Sequence, residues 1–441
     1  MIELKNKKIT VMGLGFHDGG SGVAKFLCEQ GAKVTVTDLL TKDKMPEAMT
    51  MLEGLPIRYV LGKHEESDFK NVDMVVRNPA IPLDSKYLEI ARKNSIPIEM
   101  ESTLFFKLSP TRNIIAVTGT KGKTTTSHLI HYVLTKAGKK VHLMGNLGKN
   151  MLTEIANLNS DSWVVLELSS YQCEGFDSCI DEFKENSLGP KFAVFTNLYP
   201  DHLNRYKTME NYVNAKKSIF NTLSSTQFAI INSEGKWGEQ VGKDLDGEIK
   251  WFDGKTIPHN WLLSTLGEHN RVNAGAVYVI ANELKIEESI IKDAICDFPG
   301  VEHRLELVRS IRRVYFYNDS TATNPSAVLA GIQSLTELGR PIVLIVGGND
   351  KDMDYKELID TINKRKLKTA ILSGTSDVHF NQIKDDLKIG VFGDLEEAVR
   401  AAFAAAKGDG IVLMSPGATS FNIFRDEFDR GNKFKEIVNK L

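Results

Sequence analysis

Apolar bursts of strand length alternate with helix-period segments along almost the whole chain. Ten bursts stand out: KITVMG (8–13), KVTVTD (33–38), DMVVRN (73–78), IIAVTG (114–119), WVVLEL (163–168), FAVFTN (192–197), FAIINS (228–233), PIVLIVGG (341–348), KTAILSG (368–374) and GIVLMSPG (410–417). Such alternation packs as parallel sheets flanked by helices, because the chain needs a crossover to return to the same end of a sheet. The predicted fold class is therefore α/β. At 441 residues the chain exceeds one ordinary core, and about 150 residues per domain gives roughly three domains. KLSPTRN around Pro110 and CDFPGVEHR around Pro299 interrupt the pattern. Domains are predicted at 1–110, 111–299 and 300–441, with no internal repeat and no low-complexity tract.

Charge narrows the partners. With 55 Lys and Arg against 57 Asp and Glu, the net charge is −2, so nothing points to nucleic acid or an acidic membrane. Small diffusible partners are favoured. Cys28, Cys173, Cys179 and Cys296 show no C-x-x-C spacing, and the N-terminus MIELKNKKITVMGLG lacks a signal-peptide core. No apolar run approaches the ~18 residues needed to span a bilayer. A reducing, cytoplasmic compartment and a monomer are expected.

The stretch IIAVTGTKGKTTTSHLIHYVL, Ile114 to Leu134, carries the strongest chemical signal. A buried strand ending in a Gly-rich turn that feeds a helix presents backbone N–H groups and the positive end of a helix dipole to one point. That point suits a phosphate. Lys123 would add a mobile positive charge and Thr124 a hydroxyl for magnesium, as in the P-loop. The match is imperfect, since Val117 stands five before Gly122 and the first glycine is Gly119. An ordinary strand-turn-helix carrying a lysine is the alternative.

The first domain opens with a second glycine-rich turn, VMGLGFHDGGSGVAKFL, and its second strand ends in Asp38. An acidic residue there can bind a ribose. The dinucleotide fingerprint fails, because Asp18 stands where the third glycine belongs. A nucleotide other than NAD is expected, against glycines that serve only packing.

In the middle domain, VVLELSSYQ ends a strand in Glu167, Ser169 and Ser170, and VFTNLYPDHLNRY ends another in Asn197, Asp201 and His202. Carboxyl ends of strands line the ligand crevice of open α/β sheets. A carboxylate and an imidazole facing the phosphate turn are compatible with a divalent ion bridging ATP phosphates. Taken singly, Glu167 could be a salt-bridge partner and His202 a turn residue.

The motifs VTGTKGKTTT, GNLG, LELSSYQ, TNLYPDHLNRY, GEHNRVNAGA, EHRLE, YNDSTATNPSA, LIVGGNDKDMDY and MSPGATSFNIFRDEFDRGNKF occur in this order, and over essentially the whole chain they resemble the Mur ligase family. NDSTATN and GGNDKDMD are similar to its D-glutamate-adding branch, and the D-N-P-R stretch of a diaminopimelate-adding relative is absent. The resemblance implies a Rossmann-like N-terminal domain binding a UDP-sugar, a central P-loop ATPase-like parallel-sheet domain and a Rossmann-like C-terminal domain binding the amino acid. The implied activity is an ATP-dependent acid–amino-acid ligation in peptidoglycan precursor synthesis. It would join D-glutamate to UDP-N-acetylmuramoyl-L-alanine through an acyl phosphate, using two Mg2+ sites.

By the same resemblance, Gly119, Thr120, Lys121, Gly122, Lys123, Thr124 and Thr125 would hold the ATP phosphates. Glu167 would share a magnesium with Thr124, and His202 would bind a second. Asn273 would face adenine, while Arg304 and Asp319 would reach the nucleotide from the third domain, so that domain closure would complete the ATP site. Gly15, Phe16, Asp38 and Asn146 would meet the UDP substrate. Thr323, Lys351, Ser420 and Phe428 would bind D-glutamate, although the tail needs a one-residue shift to place an aromatic, either Phe424 or Phe428, against the substrate. Thr321 stands where many members of that branch have lysine, and the turn FHDGGSG is longer than in that branch. Lys351 could instead be a solvated loop lysine and Ser420 a helix N-cap. Lys216 aligns with a lysine carried as a carbamate, an anionic oxygen ligand for the second magnesium. Residues about 100° apart on a helix cannot both point at one site, so Lys217 would face elsewhere. A relative adding L-glutamate or a folate-linked glutamate, and a P-loop nucleotide-binding module without ligase activity, are the alternative functions.

Overall fold

A computed structural model describes residues 3–15, 19–146, 150–350, 353–420 and 424–441. Three of the residues singled out above, Phe16, Asp18 and Lys351, lie outside these. The chain divides into two compact units, one of residues 1–259 and 272–295, the other of residues 260–271 and 296–441.

The first unit carries two sheets. The N-terminal sheet has strands β1 (Lys8–Met12), β2 (Lys33–Asp38), β3 (Arg58–Leu61), β4 (Met74–Arg77) and β5 (Ile98–Glu99) in the order β3-β2-β1-β4-β5, all parallel. The central sheet has β6 (Ile114–Thr118), β7 (Val141–Gly145), β8 (Trp163–Glu167), β9 (Phe192–Phe195), β10 (Phe228–Asn232) and β11 (Glu248–Phe252) in the order β11-β10-β9-β6-β8-β7, again all parallel. Every residue of β6, β8 and β9 is buried, which is why their sequences read as unbroken apolar runs.

The second unit holds one sheet, with β12 (Glu306–Ile311), β13 (Val314–Asn318), β14 (Ile342–Gly347), β15 (Lys368–Leu372), β16 (Lys388–Phe392) and β17 (Ile411–Met414) in the order β12-β13-β17-β14-β15-β16. It departs from an all-parallel expectation at one edge. β12 runs antiparallel to β13 because only Arg312 and Arg313, both at positive φ, connect them, too short a link for a parallel crossover.

All ten apolar bursts form strands. In each sheet the direction of winding reverses at an interior position: at β1 in the first, at β6 in the second, and around the inserted β17 in the third. Ligands bind parallel sheets at such switch points, where loops diverge and leave a crevice.

Candidate active site

β6 sits between β8 and β9, so three loops leave the same end of the sheet side by side. The loop after β6 turns through Gly119 at φ +147° and Gly122 at φ +81°, and the helix Lys123–Lys136 starts immediately. A Cβ on Gly119 would lie 1.9 Å from Thr196 Oγ1, and one on Gly122 would lie 2.5 Å from Asn273 Oδ1. Both positions require glycine for space as well as for backbone conformation.

The segment after β9 braces this turn. Thr120 N donates to Asn197 O at 2.9 Å and Lys121 N to Asn197 Oδ1 at 2.8 Å. Thr196 Oγ1 and Asn197 Nδ2 both donate to Lys121 O, at 2.7 and 3.0 Å. Lys123 Nζ donates to Thr120 O at 2.9 Å. Thr124 and Thr125 follow in the first turn of the helix, partly exposed.

From the other side β8 delivers Glu167, 2% exposed. Its Oε1 accepts from Asn146 Nδ2 at 3.2 Å, while Oε2 is buried with no hydrogen-bond partner. A buried carboxylate oxygen left bare costs the full desolvation of that atom. A bare carboxylate oxygen of this kind is a donor that a hard divalent cation would accept. The same strand end continues into a capping box in which Ser169 and Gln172 satisfy one another's backbone N–H groups. Among the described residues no group of three or more His, Cys, Asp or Glu is arranged to hold a metal.

His202 adopts φ +52° and begins the single-turn helix Leu203–Tyr206. Its Nδ1 lies 3.1 Å from the Tyr171 hydroxyl and its Nε2 3.6 Å from Asp201 Oδ2. Burial lowers its pKa, Asp201 opposes that, and Lys216, Lys123 and Arg205 lower it further. A neutral imidazole is the form that can ligate a metal.

Lys216 lies on the helix Met209–Asn221 and is 1% exposed. Its Nζ donates to Gly119 O at 2.7 Å and lies 4.7 Å from the centre of the Tyr212 ring. Burial, reinforced by the Lys123 ammonium, pushes its pKa down to about 7. Lys217 points elsewhere, donating to Gln240 O and Lys243 O. Tyr212 completes the wall, its hydroxyl 3.2 Å from Thr120 Oγ1 and its pKa pushed up to about 12 by burial.

Around the N-terminal glycine turn, Gly13 and Gly15 have φ +85° and +67°. A Cβ on Gly15 would lie 2.5 Å from Asn78 Nδ2. Asp38 Oδ2 accepts from Leu14 N and Oδ1 from Leu40 N, each at 2.8 Å. Its carboxylate thus shapes the turn through backbone groups on both sides.

In the second unit, Asp319 follows β13 and is 7% exposed. Ser415 Oγ donates to its Oδ2 at 2.7 Å and Leu305 N to its Oδ1 at 3.2 Å. Burial still pushes its pKa up to about 7, against the lowering effect of these bonds and of Arg304. Thr323 N donates to Thr321 O. Ser420 Oγ is buried with no hydrogen-bond partner. Ser420 does not cap the C-terminal helix, which spans Glu427–Lys440 and is capped by Asp426. Phe428 is 53% exposed and Phe424 8%, so of these two Phe428 is the accessible one.

Residues 117–262 match the Mur ligase middle domain, 303–417 the glutamate ligase domain of Mur ligases, and 7–99 the N-terminal domain of MurD-like Mur ligases. The chain is 38% identical to a UDP-N-acetylmuramoylalanine--D-glutamate ligase of Roseiflexus, with 99% of each chain covered. The chain belongs to the Mur ligase family. A protein of the same description from Clostridioides difficile is 33% identical, with 100% of each chain covered. The crystal structure of UDP-N-acetylmuramate-alanine ligase MurC from Thermotoga maritima shares the Mur ligase fold at 19% identity, with a TM-score of 0.58 over 99% of this chain and 100% of that one.

Within this Mur ligase, the sequence pointed to Lys123, Glu167, His202 and Lys216, and the central sheet brings the loops and helix that carry them to one end. The sequence marks Asn197 only as a strand-end residue and assigns nothing to Thr196 or Tyr212. Tyr212 stands four residues before Lys216 on one helix face, a spacing that could have signalled it. The bracing role of Thr196 and Asn197 depends on β9 pairing with β6, which no local pattern announces.

Proposed function

We propose that the chain is an ATP-dependent ligase that joins D-glutamate to UDP-N-acetylmuramoyl-L-alanine in peptidoglycan precursor synthesis. The observation that carries this is the bare Glu167 oxygen at the end of β8, beside a glycine loop built to hold phosphate, in a chain of the Mur ligase family. A carboxylate oxygen is a poor leaving group, so an amine cannot displace it unaided. The muramoyl carboxylate would attack the γ-phosphorus of ATP, releasing ADP. The D-glutamate amine would then attack the acyl carbon and lose its proton as inorganic phosphate departs. Positioning and charge neutralisation are the protein's contribution.

Lys123 and the N–H groups of residues 119–125 orient the phosphates. Glu167 with Thr124, and His202 with Lys216, are the two donor sets we assign to magnesium, which when bound would neutralise phosphate charge. With its pKa near 7, the Lys216 amine has a substantial neutral fraction, the form that captures carbon dioxide, and the carbamate would turn a repelling ammonium into an oxygen ligand. We assign Asn273 to the nucleotide, Asn146 to the reacting carboxylate, and Gly15, Phe16 and Asp38 to the UDP moiety. Thr323, Lys351, Ser420 and Phe428 are assigned to D-glutamate; Arg304 and Asp319 to the nucleotide. The domains proposed are 1–110, 111–299 and 300–441, acting as a cytoplasmic monomer.

Phosphate release measured with ATP, UDP-N-acetylmuramoyl-L-alanine and a panel of amino acids tests the assignment. Turnover with D-glutamate alone is expected. Preference for L-glutamate or another acceptor would overturn the substrate, and ATP hydrolysis indifferent to the UDP-sugar would overturn the ligase.

A further inference from the structure

We propose that Glu174 is a positioning residue that holds the His202 turn and ties it to the ligand end of the N-terminal sheet. The helix Leu203–Tyr206 is one turn long and is flanked by His202 at φ +52° and Lys207 at φ +68°. A single turn does not sustain itself, and left-handed non-glycine residues persist only where their surroundings fix them. Glu174 supplies that fixing. Its Oε1 accepts from Tyr206 OH at 2.8 Å and Arg205 Nε at 2.9 Å, and its Oε2 accepts from Arg205 Nη2 at 2.7 Å and Arg77 Nη2 at 2.9 Å. Four donors fill the acceptor capacity of one carboxylate. The Glu174 and Arg77 side chains are 4% and 1% exposed, so losing a partner there leaves a buried charge poorly compensated.

The third donor source is what gives the cluster its reach. Arg77 ends β4, and the next residue, Asn78, packs its side chain against Gly13 and Gly15. Arg77 Nη1 donates to Ile81 O at 2.7 Å, and Arg205 donates to Pro79 O, Ala80 O and Ile81 O at 3.2, 3.1 and 3.3 Å. Residues 78–81 are thus pressed on the glycine turn at one end and held by both guanidinium groups at the other. A ligand that orders the glycine turn orders residues 78–81, and through Arg77, Glu174 and Arg205 it orders the turn that presents His202. This rests on the reading above that the glycine turn binds the UDP substrate.

Hydrogen exchange of the full chain, without ATP or metal, tests both halves separately. Adding UDP-N-acetylmuramoyl-L-alanine to the unsubstituted chain should protect peptides covering residues 13–22 and residues 201–207. In Glu174→Gln the first protection should remain and the second should vanish. Tyr206→Phe removes one hydrogen bond and no charge, so it carries the test if Glu174→Gln does not fold; it should weaken the second protection alone. Affinity for Mn2+ with a bound non-hydrolysable ATP analogue, read by electron paramagnetic resonance, should fall about 10- to 100-fold in Glu174→Gln, as for other partners that orient metal ligands. A merely structural role would lower the melting temperature while leaving the substrate-dependent protection of 201–207 intact, and that result would overturn the proposal. Protection of 13–22 without 201–207 in the unsubstituted chain would overturn it too. No protection of 13–22 would instead overturn the reading of the glycine turn, and the coupling with it.

Discussion

At Gly119 the backbone takes φ +147° with Thr196 Oγ1 occupying the place of a side chain. Gly119→Ala should therefore abolish measurable nucleotide binding, adding about 1–3 kcal/mol of backbone strain to the clash. Thr196→Ala in the same chain should restore part of the binding, because the two substitutions share one contact; isothermal titration with ADP reads both. Glu167→Gln keeps the shape of the carboxylate and removes its charge. Turnover should fall about 100-fold or more while ADP affinity changes little, since the loop amides remain. For Lys216 burial holds the folded pKa at about 7, below the 10.5 of an exposed lysine. The unfolded chain then binds more protons between those values, so the stability contributed by this site rises with pH from about 7 to 10.5 and carries its full penalty below that window. Chemical denaturation of the unsubstituted chain and of Lys216→Met should show a stability difference that moves in favour of the unsubstituted chain as pH rises through that range. Glu167 was legible from its place at a strand end of a phosphate-binding sheet, whereas Lys216, on a helix, was legible only through the family resemblance. Glu174 was not, because its partners Arg77 and Arg205 stand 97 and 31 residues away along the chain.

The elements divide in the same way. Each strand read from the sequence is an interior strand, and β3, β5, β7, β11, β12 and β16, which were not read, are the six edges of the three sheets. An interior strand of a parallel sheet is covered on both faces and spells an apolar run; an edge keeps polar positions, as in EIKWF of β11 and ELVRSI of β12. The interior strand that escaped is β13, VYFYN, which pairs with the antiparallel β12 and is short and aromatic. Helix ends follow local chemistry more closely. The helix carrying Lys216 is capped by Thr208, whose side chain accepts from Asn211 N. Thr208→Ala should cost about 1 kcal/mol of stability by urea denaturation. It should leave the affinity for ADP unchanged, since Lys216 lies two turns farther on.

For the whole molecule, each compact unit buries ionisable groups: the Lys216 amine and the Glu101 carboxyl in the first, the Asp319 carboxyl and the Arg430 guanidinium in the second. With a folded pKa of about 7 against 3.8, the Asp319 carboxyl holds its proton longer in the folded state, so its contribution to stability falls as pH rises from 3.8 to 7. Asp319→Asn should slow hydrogen exchange of β13 and β17 relative to the unsubstituted chain near pH 8 and do so little near pH 4, while removing a group assigned to the nucleotide. The strand orders also set a timetable for synthesis. The central sheet has all its strands once residue 252 has emerged, so the first unit can gather most of its core while translation continues. The sheet of the second unit cannot, because β17, its innermost joint, is made last: β13 and β14 flank a gap that stays open until residues 411–414 leave the ribosome. At about 5–20 residues per second, the nascent chain carries those two apolar edges unpaired for several seconds after β14 is complete, and that interval is when a chaperone has most to shield.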